Sequence, residues 1–155
     1  MSVPKPILDA KGAWHGSSKL HMSWLPEGER ISESESDLLV EQDFQSSHAI
    51  IRYYWMHDGI RQEGTLLVAG NADASEVQMA WSDSWHQDSG VLSLIGGPIE
   101  NGVKAKGSYT AGDETWGWTI ALCLVADDIQ LEMENVTPAG EAEWAVKAIY
   151  ARMLT

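Results

Sequence analysis

The sequence predicts an all-β protein, a single antiparallel up-and-down barrel of about ten strands. Turn-forming residues interrupt the chain about every 8 to 14 residues, and the segments between them are rich in Val, Ile, Trp, Tyr and Thr, which favour strands. The turn signals are Pro26-Glu27-Gly28, Asp58-Gly59, Gly70-Asn71, Asp88-Ser89-Gly90, Asn101-Gly102, Ala111-Gly112-Asp113, Asp127-Asp128 and Pro138-Ala139-Gly140. With 155 residues, the chain can bury such a core as one domain, 1–155, without a metal or a disulfide.

Two-residue alternation places the strands and their dry faces. Ile129, Leu131 and Met133 alternate with polar residues, so one face of that strand is apolar. In the last segment the shared face consists of Ala142, Trp144, Val146, Ala148 and Tyr150. Strands are predicted at 12–24, 30–41, 47–57, 60–69, 76–85, 91–96, 102–110, 114–125, 128–136 and 141–152. The lead-in, 1–10, leaves room for a short helix.

The segment 30–41 has the weakest strand pattern. Ser and Glu alternate from Ser32 to Ser36, so both faces are polar, and we expect a solvated edge or a mobile flap. An open sheet of ten strands would leave two unpaired edges, whereas closure pairs the first strand with the last. The interior of such a barrel is either filled by side chains or holds one small ligand.

Composition limits the partners. Ten Lys and Arg against 23 Asp and Glu give a formal net charge of −13, which repels phosphate backbones and anionic lipids, so we expect neither nucleic acid nor membrane as a partner. No secretory signal or long apolar stretch is recognisable, which predicts a cytoplasmic protein, monomeric or homodimeric. The single cysteine, Cys123, lies in an apolar run and is expected to be a core residue.

The two ends of the chain carry a complementary pair. Gly12-Ala13-Trp14 opens the first strand and Tyr150-Ala151-Arg152 closes the last one, and alternation directs Trp14 and Arg152 to the same side of a closed barrel. A guanidinium stacked on an indole contributes about 0.5 to 2 kcal/mol, so we assign the pair a structural role in closure.

These motifs resemble those of calycin barrels, the group that contains lipocalins and fatty-acid-binding proteins. The order of G-x-W-x-G at 12–16, W-x-D-S at 81–84 and Y-x-R at 150–152 is similar to that of a bacterial family of uncharacterised, calycin-like domains, over residues 11–153. The resemblance implies a barrel with a central cavity and no established activity.

Trp81-Ser82-Asp83-Ser84-Trp85-His86 supplies the best single site candidate. In a strand through this motif Trp81, Asp83 and Trp85 share one face, which places a carboxylate among apolar groups. Such an acid needs a partner or becomes neutral. Asp83 could anchor the polar end of a ligand or act as a general base with a raised pKa. Alternatively, it could accept hydrogen bonds from Ser, Trp or backbone donors and fix the end of the strand.

The predicted ligand-binding residues are Asp83, Trp81 and Trp85 of this motif together with Tyr53, Trp118, Met133, Tyr109 and Arg52. Eight tryptophans offer flat apolar walls, each with one N–H donor, although the same indoles could instead fill the core. Parity does not decide for Arg52, Tyr53 and Tyr54, because their segment is apolar on both faces.

The histidines do not have metal-site spacing. No His-x-His or Cys-x-x-Cys cluster occurs, and His15 and His21 fall on the face opposite Trp14. Haem-binding barrels of the nitrobindin type resemble the chain in fold but use a histidine late in the sequence, and no histidine follows His86. We therefore expect no metal and no cofactor.

Three hypotheses about function remain. The leading one is a binding protein whose Trp-lined barrel takes a small hydrophobic or amphipathic molecule, with Asp83 and a Tyr or Arg at its polar part. The second is an enzyme using Asp83, and with it His86, for proton transfer; parity places His86 opposite Asp83 unless a bulge intervenes. The third is a structural or interaction domain with a filled barrel. We expect binding rather than catalysis.

Overall fold

Ten antiparallel strands pair in chain order and close into an up-and-down barrel, as the sequence predicts. The computed structural model describes residues 2–87 and 90–154. The elements are α1 (Lys5–Asp9), β1 (Gly12–His21), β2 (Ile31–Gln42), β3 (Ala49–His57), β4 (Ile60–Gly70), β5 (Val77–Asp83), β6 (Leu92–Ile99), β7 (Gly102–Ala111), β8 (Glu114–Val125), β9 (Asp128–Val136) and β10 (Ala142–Arg152). The turn predicted at Asp88-Ser89-Gly90 lies partly outside the described residues.

Closure joins the first strand to the last. β1 and β10 pair antiparallel from Trp14 opposite Arg152 to Leu20 opposite Val146. Along most of the barrel alternate side chains of the strands point inward, and they form one core that includes Ile51, Leu66 and Ile120. Burial of this apolar surface is the main stabilising term of the fold.

β2 is a full strand, so the expectation of an edge or flap at 30–41 is wrong. It pairs with β1 from Ile31 to Val40, because closure leaves no edge for it to occupy. Its ladder with β3 begins only at Asp37. Before that point serine hydroxyls of β2 replace the ladder bonds to the backbone of β3. The Ser36 hydroxyl donates to the carbonyl of Tyr54, and the Ser34 hydroxyl accepts from the N–H of Met56. The polar alternation therefore supplies hydrogen bonds where the two strands diverge.

Trp144 does not lie on the inner face that strict alternation predicts. The register of β10 shifts between Trp144 and Val146, so that Ala145 and Val146 are both buried. This bulge turns the Trp144 ring outward, where it stacks on His21 at 4.6 Å and lies under Lys147.

The two ends of the barrel differ. At one, the closed end, α1 covers the core: Ile7 is fully buried, and the backbone at Ser2 bridges to Gly70 of β4. The other, the open end, carries the β1–β2, β3–β4, β5–β6, β7–β8 and β9–β10 loops. No helix in the described part of the chain is long and apolar enough to cross a membrane.

Candidate binding site at the open end of the barrel

Asp83 organises the turn that follows β5. The strand ends at this residue, and one carboxylate oxygen, Oδ1, accepts hydrogen bonds from the backbone N–H groups of Trp85 (2.8 Å) and His86 (3.0 Å). The other, Oδ2, accepts from the hydroxyl of Tyr53 at 2.7 Å. Asp83 is only 2% exposed, and these bonds compensate for the loss of water.

Tyr53 connects Asp83 to the indole of Trp81. The Tyr53 hydroxyl accepts a hydrogen bond from Trp81 Nε1 at 2.9 Å while it donates to Asp83. Gly64 makes this possible, since it pairs with both Tyr53 and Asp83 and a Cβ there would collide with the Tyr53 ring. The strand glycine thus lets the tyrosine lie across β4.

The protonation states follow from these contacts. Burial raises the pKa of Asp83, but the nearby His86 and the hydrogen bond from Tyr53 outweigh it, so the pKa lies below its ordinary value. Burial and the neighbouring carboxylate hold the pKa of Tyr53 well above its usual range. Asp83 is therefore an anion at neutral pH, which contradicts the raised pKa expected of a general base.

His86 lies beside Asp83 rather than opposite it. Parity fails here because β5 ends at Asp83 and the turn through Ser84 and Trp85 brings the imidazole back toward the barrel. His86 Nδ1 is 3.2 Å from Asp83 Oδ1, a contact too bent for a hydrogen bond. The other nitrogen, Nε2, is buried and has no hydrogen-bond partner among the described residues.

Aromatic rings cover this pair from solvent. Four of them form what we call the aromatic cap: Trp24, Trp55, His57 and Trp85. Trp85 is central to it, with ring centroids 5.9 Å from Trp55, 5.4 Å from His57 and 4.8 Å from His86. Trp24, from the β1–β2 loop, stacks on the solvent side of Trp85 and is 67% exposed. The cap keeps Asp83 and His86 largely dry.

Free space near these residues is of two kinds. An enclosed cavity of about 10 Å³, the size of one water molecule, lies between Asp83, Tyr53, His86, Ser18 and Tyr150. A second pocket, of about 600 Å³, opens at the ends of β5 to β8. The middle of the barrel is thus packed with side chains, and space for an organic molecule is found at the open end.

The described walls of the open-end pocket include no Lys, Arg, Asp or Glu. Its described lining residues are Trp81, His86, Gln87, Gly90, Val91, Leu92, Ser108, Tyr109, Thr110 and Trp118. Trp81 and Trp118 stack almost parallel, with centroids 5.1 Å apart and 10° between their planes. The indole nitrogen of Trp118 is buried without a hydrogen-bond partner in the described part of the chain. A buried polar group without a partner is rare in proteins and requires an explanation, such as a bound water or ligand.

The predicted site residues fall into three groups. Trp81, Trp118 and Tyr109 border the open-end pocket, and the Tyr109 hydroxyl donates to Asn135 Oδ1 at 2.5 Å. Asp83 and Tyr53 border the enclosed cavity instead. The last three lie away from both spaces: Trp85 belongs to the aromatic cap, Met133 is fully buried in the core, and Arg52 is exposed.

Arg52 does not reach the interior, which corrects its inclusion in the site. The inward residues of β3 are Ala49, Ile51, Tyr53 and Trp55, so Arg52 and Tyr54 face solvent. The guanidinium of Arg52 lies 3.5 Å from the carboxylate of Glu41 on the neighbouring strand. Tyr54 lies under the guanidinium of Arg61.

Trp14 and Arg152 lie together at the closed end. The guanidinium of Arg152 is 4.3 Å from the centre of the Trp14 ring and donates to the carbonyls of Lys11 (2.7 Å) and Asp9 (3.0 Å). Trp14 Nε1 donates to the carbonyl of Ala10 at 2.9 Å. Together these contacts fasten α1 to the first and last strands, away from the open-end pocket.

Two features of the site were not predicted from the sequence, the position of His86 beside Asp83 and the role of Gly64, although each had a signal. An Asp whose side chain accepts the N–H two residues later is typical of a turn, and this marks the end of β5 at Asp83 and the return of His86. An isolated glycine within a strand, here Gly64, indicates a close approach of another group.

Comparison with known proteins does not assign the chain to a family. Among residues 2–87 and 90–154, no three His, Cys, Asp or Glu side chains are grouped as a metal site requires. No protein-family model matches the chain, and no curated protein is significantly similar to it.

Proposed function

We propose that the protein binds a small hydrophobic or amphipathic molecule in the open-end pocket. One observation carries the proposal: a pocket of about 600 Å³ is lined by Trp81, Trp118 and His86, and the last two side chains hold three buried nitrogen atoms without partners among the described residues. This volume falls within the range of about 300 to 1,000 Å³ that is usual for small-molecule sites. The indole walls supply apolar contact, and the nitrogens offer polar contacts that fix a ligand's orientation.

We also propose that the protein is a calycin-like barrel of the kind found in lipocalins and fatty-acid-binding proteins. The closed, up-and-down arrangement of the strands and the Arg152–Trp14 stack at the closed end support this assignment. A cytoplasmic location remains part of the proposal, and fractionation of its host would test it.

Binding is tested by native mass spectrometry of protein purified from its own host, followed by calorimetry with whatever small molecule is found. A pocket-filling variant, Ser108→Phe, should weaken that binding at least about tenfold, because the added ring occupies ligand volume. Ser93→Phe, on the exposed outer face of β6, is the matched control and should leave affinity unchanged. Equal affinities in wild type and the Ser108 variant would contradict the site, as would the absence of any bound or bindable small molecule.

Proton transfer is a second candidate, favoured by the 3.2 Å contact between His86 Nδ1 and Asp83 Oδ1. Both oxygens of Asp83 already accept hydrogen bonds, so the imidazole would exchange the proton and Asp83 would position it. An activity screen should then find a reaction that His86→Asn abolishes and Asp83→Asn weakens. A reaction that survives unchanged in the His86 variant would exclude this role.

The third alternative, a domain that acts only through its surface, is favoured by the packed middle of the barrel. Size-exclusion chromatography tests it cheaply, since a stable partner or a second copy would raise the apparent mass.

A further inference from the structure

We propose that the open-end pocket selects an uncharged, flat molecule that carries a hydroxyl group, and that it rejects carboxylates. This inference rests on the proposed binding function and adds the chemical class of the ligand. It is carried by the absence of charge on the described walls and by the different hydrogen-bonding capacities of His86 and Trp118.

The charge distribution around the pocket disfavours an anionic ligand. None of the described lining residues is Lys, Arg, Asp or Glu, so a ligand carboxylate would lose water without gaining a cation. Asp83, an anion in contact with the lining residue His86, repels a second carboxylate. The net charge of −13 disfavours the approach of an anion as well. An uncharged ligand avoids all three penalties.

The unpaired nitrogens of His86 and Trp118 favour a ligand that carries a hydroxyl group. The rings of His86 and Trp118 are neighbours, with centroids 5.2 Å apart. An indole nitrogen can only donate. His86 Nδ1 lies 3.2 Å from the Asp83 carboxylate, and this proximity favours the tautomer that carries its proton on Nδ1 and leaves Nε2 as an acceptor. A hydroxyl satisfies both groups at once, because it accepts from Trp118 Nε1 and donates to His86 Nε2.

The aromatic side chains of the lining favour a flat ligand. Trp81 and Trp118 stack on each other, so the faces between them are not available to a ligand, and Tyr109 adds a third aromatic side chain to the lining. A planar ring makes favourable offset or edge-to-face contacts with such aromatic side chains. Because both nitrogens are buried and the two rings are in contact, a hydroxyl reaches them only when the rings of His86 and Trp118 move apart.

Three probes of nearly equal size separate the effect of ligand charge from that of hydrogen bonding. They are 2-naphthol, 2-methoxynaphthalene and 2-naphthoate, each titrated into wild-type protein at neutral pH by calorimetry. The naphthol should bind. The methoxy compound, which accepts a hydrogen bond but cannot donate one, should bind about tenfold more weakly, since a missing buried hydrogen bond typically costs that much. The naphthoate should bind at least about a hundredfold more weakly, because an unpaired charge costs more than an unpaired dipole.

Variants assign the two hydrogen bonds. His86→Phe should remove the preference for naphthol over methoxynaphthalene, whereas Trp118→Phe should weaken both uncharged probes and keep that preference. Trp144→Phe, on the outer face beside His21, is the control and should change neither affinity. Circular dichroism checks that each variant folds, and the three-probe comparison on wild type needs no variant.

The outcomes distinguish selectivity from binding. Naphthoate that binds as tightly as naphthol would overturn the selectivity while leaving the pocket as a binding site. A preference that persists in His86→Phe would overturn the role of Nε2. If none of the three probes binds, the selectivity is overturned, and failure of the native mass spectrometry as well would remove the proposed function.

Discussion

A single carboxylate determines how the open end is built. Asp83 ends β5, caps the following turn through two backbone N–H groups and receives the hydroxyl of Tyr53. Its place on the inner face of β5 follows from the alternation of the sequence, and so does its need for partners. The identity of those partners does not, because Tyr53 reaches it from a strand two places along the sheet, over the bare backbone of Gly64.

Asp83→Asn should lower the free energy of unfolding by about 1 to 3 kcal/mol at neutral pH. The amide keeps one acceptor, but its NH₂ group must face a donor, either the Tyr53 hydroxyl or the backbone N–H groups of Trp85 and His86. Urea unfolding of both proteins measures the difference.

Acid should reduce that difference. Asp83 has a lower pKa in the folded protein than in the unfolded chain, so its stabilisation is complete above the unfolded value of about 4 and is lost as pH falls through the folded pKa. Repeating the unfolding at about pH 3 and below should therefore show a shrinking gap between wild type and variant. A gap independent of pH would contradict an ionised Asp83.

At the scale of elements, alternation with a period of two predicts most of the barrel. All ten strands occur where the pattern places them, and the inner faces of β5 and β9 follow it residue by residue. Alternation fails where the backbone leaves the regular ladder: at the bulge that turns Trp144 outward and at the turn that returns His86 to the barrel. The bulge leaves no signal in one sequence, whereas the turn is marked only by Asp83, the residue that caps it. In β3, apolar residues on both faces left the direction of Arg52 open.

Arg152→Ala should loosen the closed end without affecting the open one. It removes the stack on Trp14 and two hydrogen bonds to the chain around α1, worth about 1 to 2 kcal/mol in total for a partly exposed group, or a fall in melting temperature of roughly 3 to 6 °C.

The control for this effect is Arg152→Lys, which keeps the charge but lacks the planar fork that reaches two carbonyls. It should recover only part of the melting temperature. Unchanged stability in the alanine variant, or loss of ligand affinity at unchanged stability, would argue against a purely structural role for Arg152.

The two ends of the molecule differ in structure, and we propose that only the open end takes part in recognition. α1, Trp14 and Arg152 close the barrel at one end, while the Trp-walled pocket, His86 and the aromatic cap lie at the other. The sequence predicts closure and the closing pair, because both depend on the ends of the chain. It does not predict that the middle is packed and that the larger pocket lies at the end, since the volumes of many side chains from all ten strands decide this together.

Indole N–H resonances offer the most direct test, because the eight tryptophans are distributed over both ends. In ¹⁵N-labelled protein titrated with 2-naphthol, the Nε1–H signals of Trp118 and Trp81 should shift most, and that of Trp14 at the closed end should stay in place. The same titration in Ser108→Phe should show no shift. A shift confined to Trp14, or shifts spread evenly over all eight indoles, would contradict a binding site at the open end.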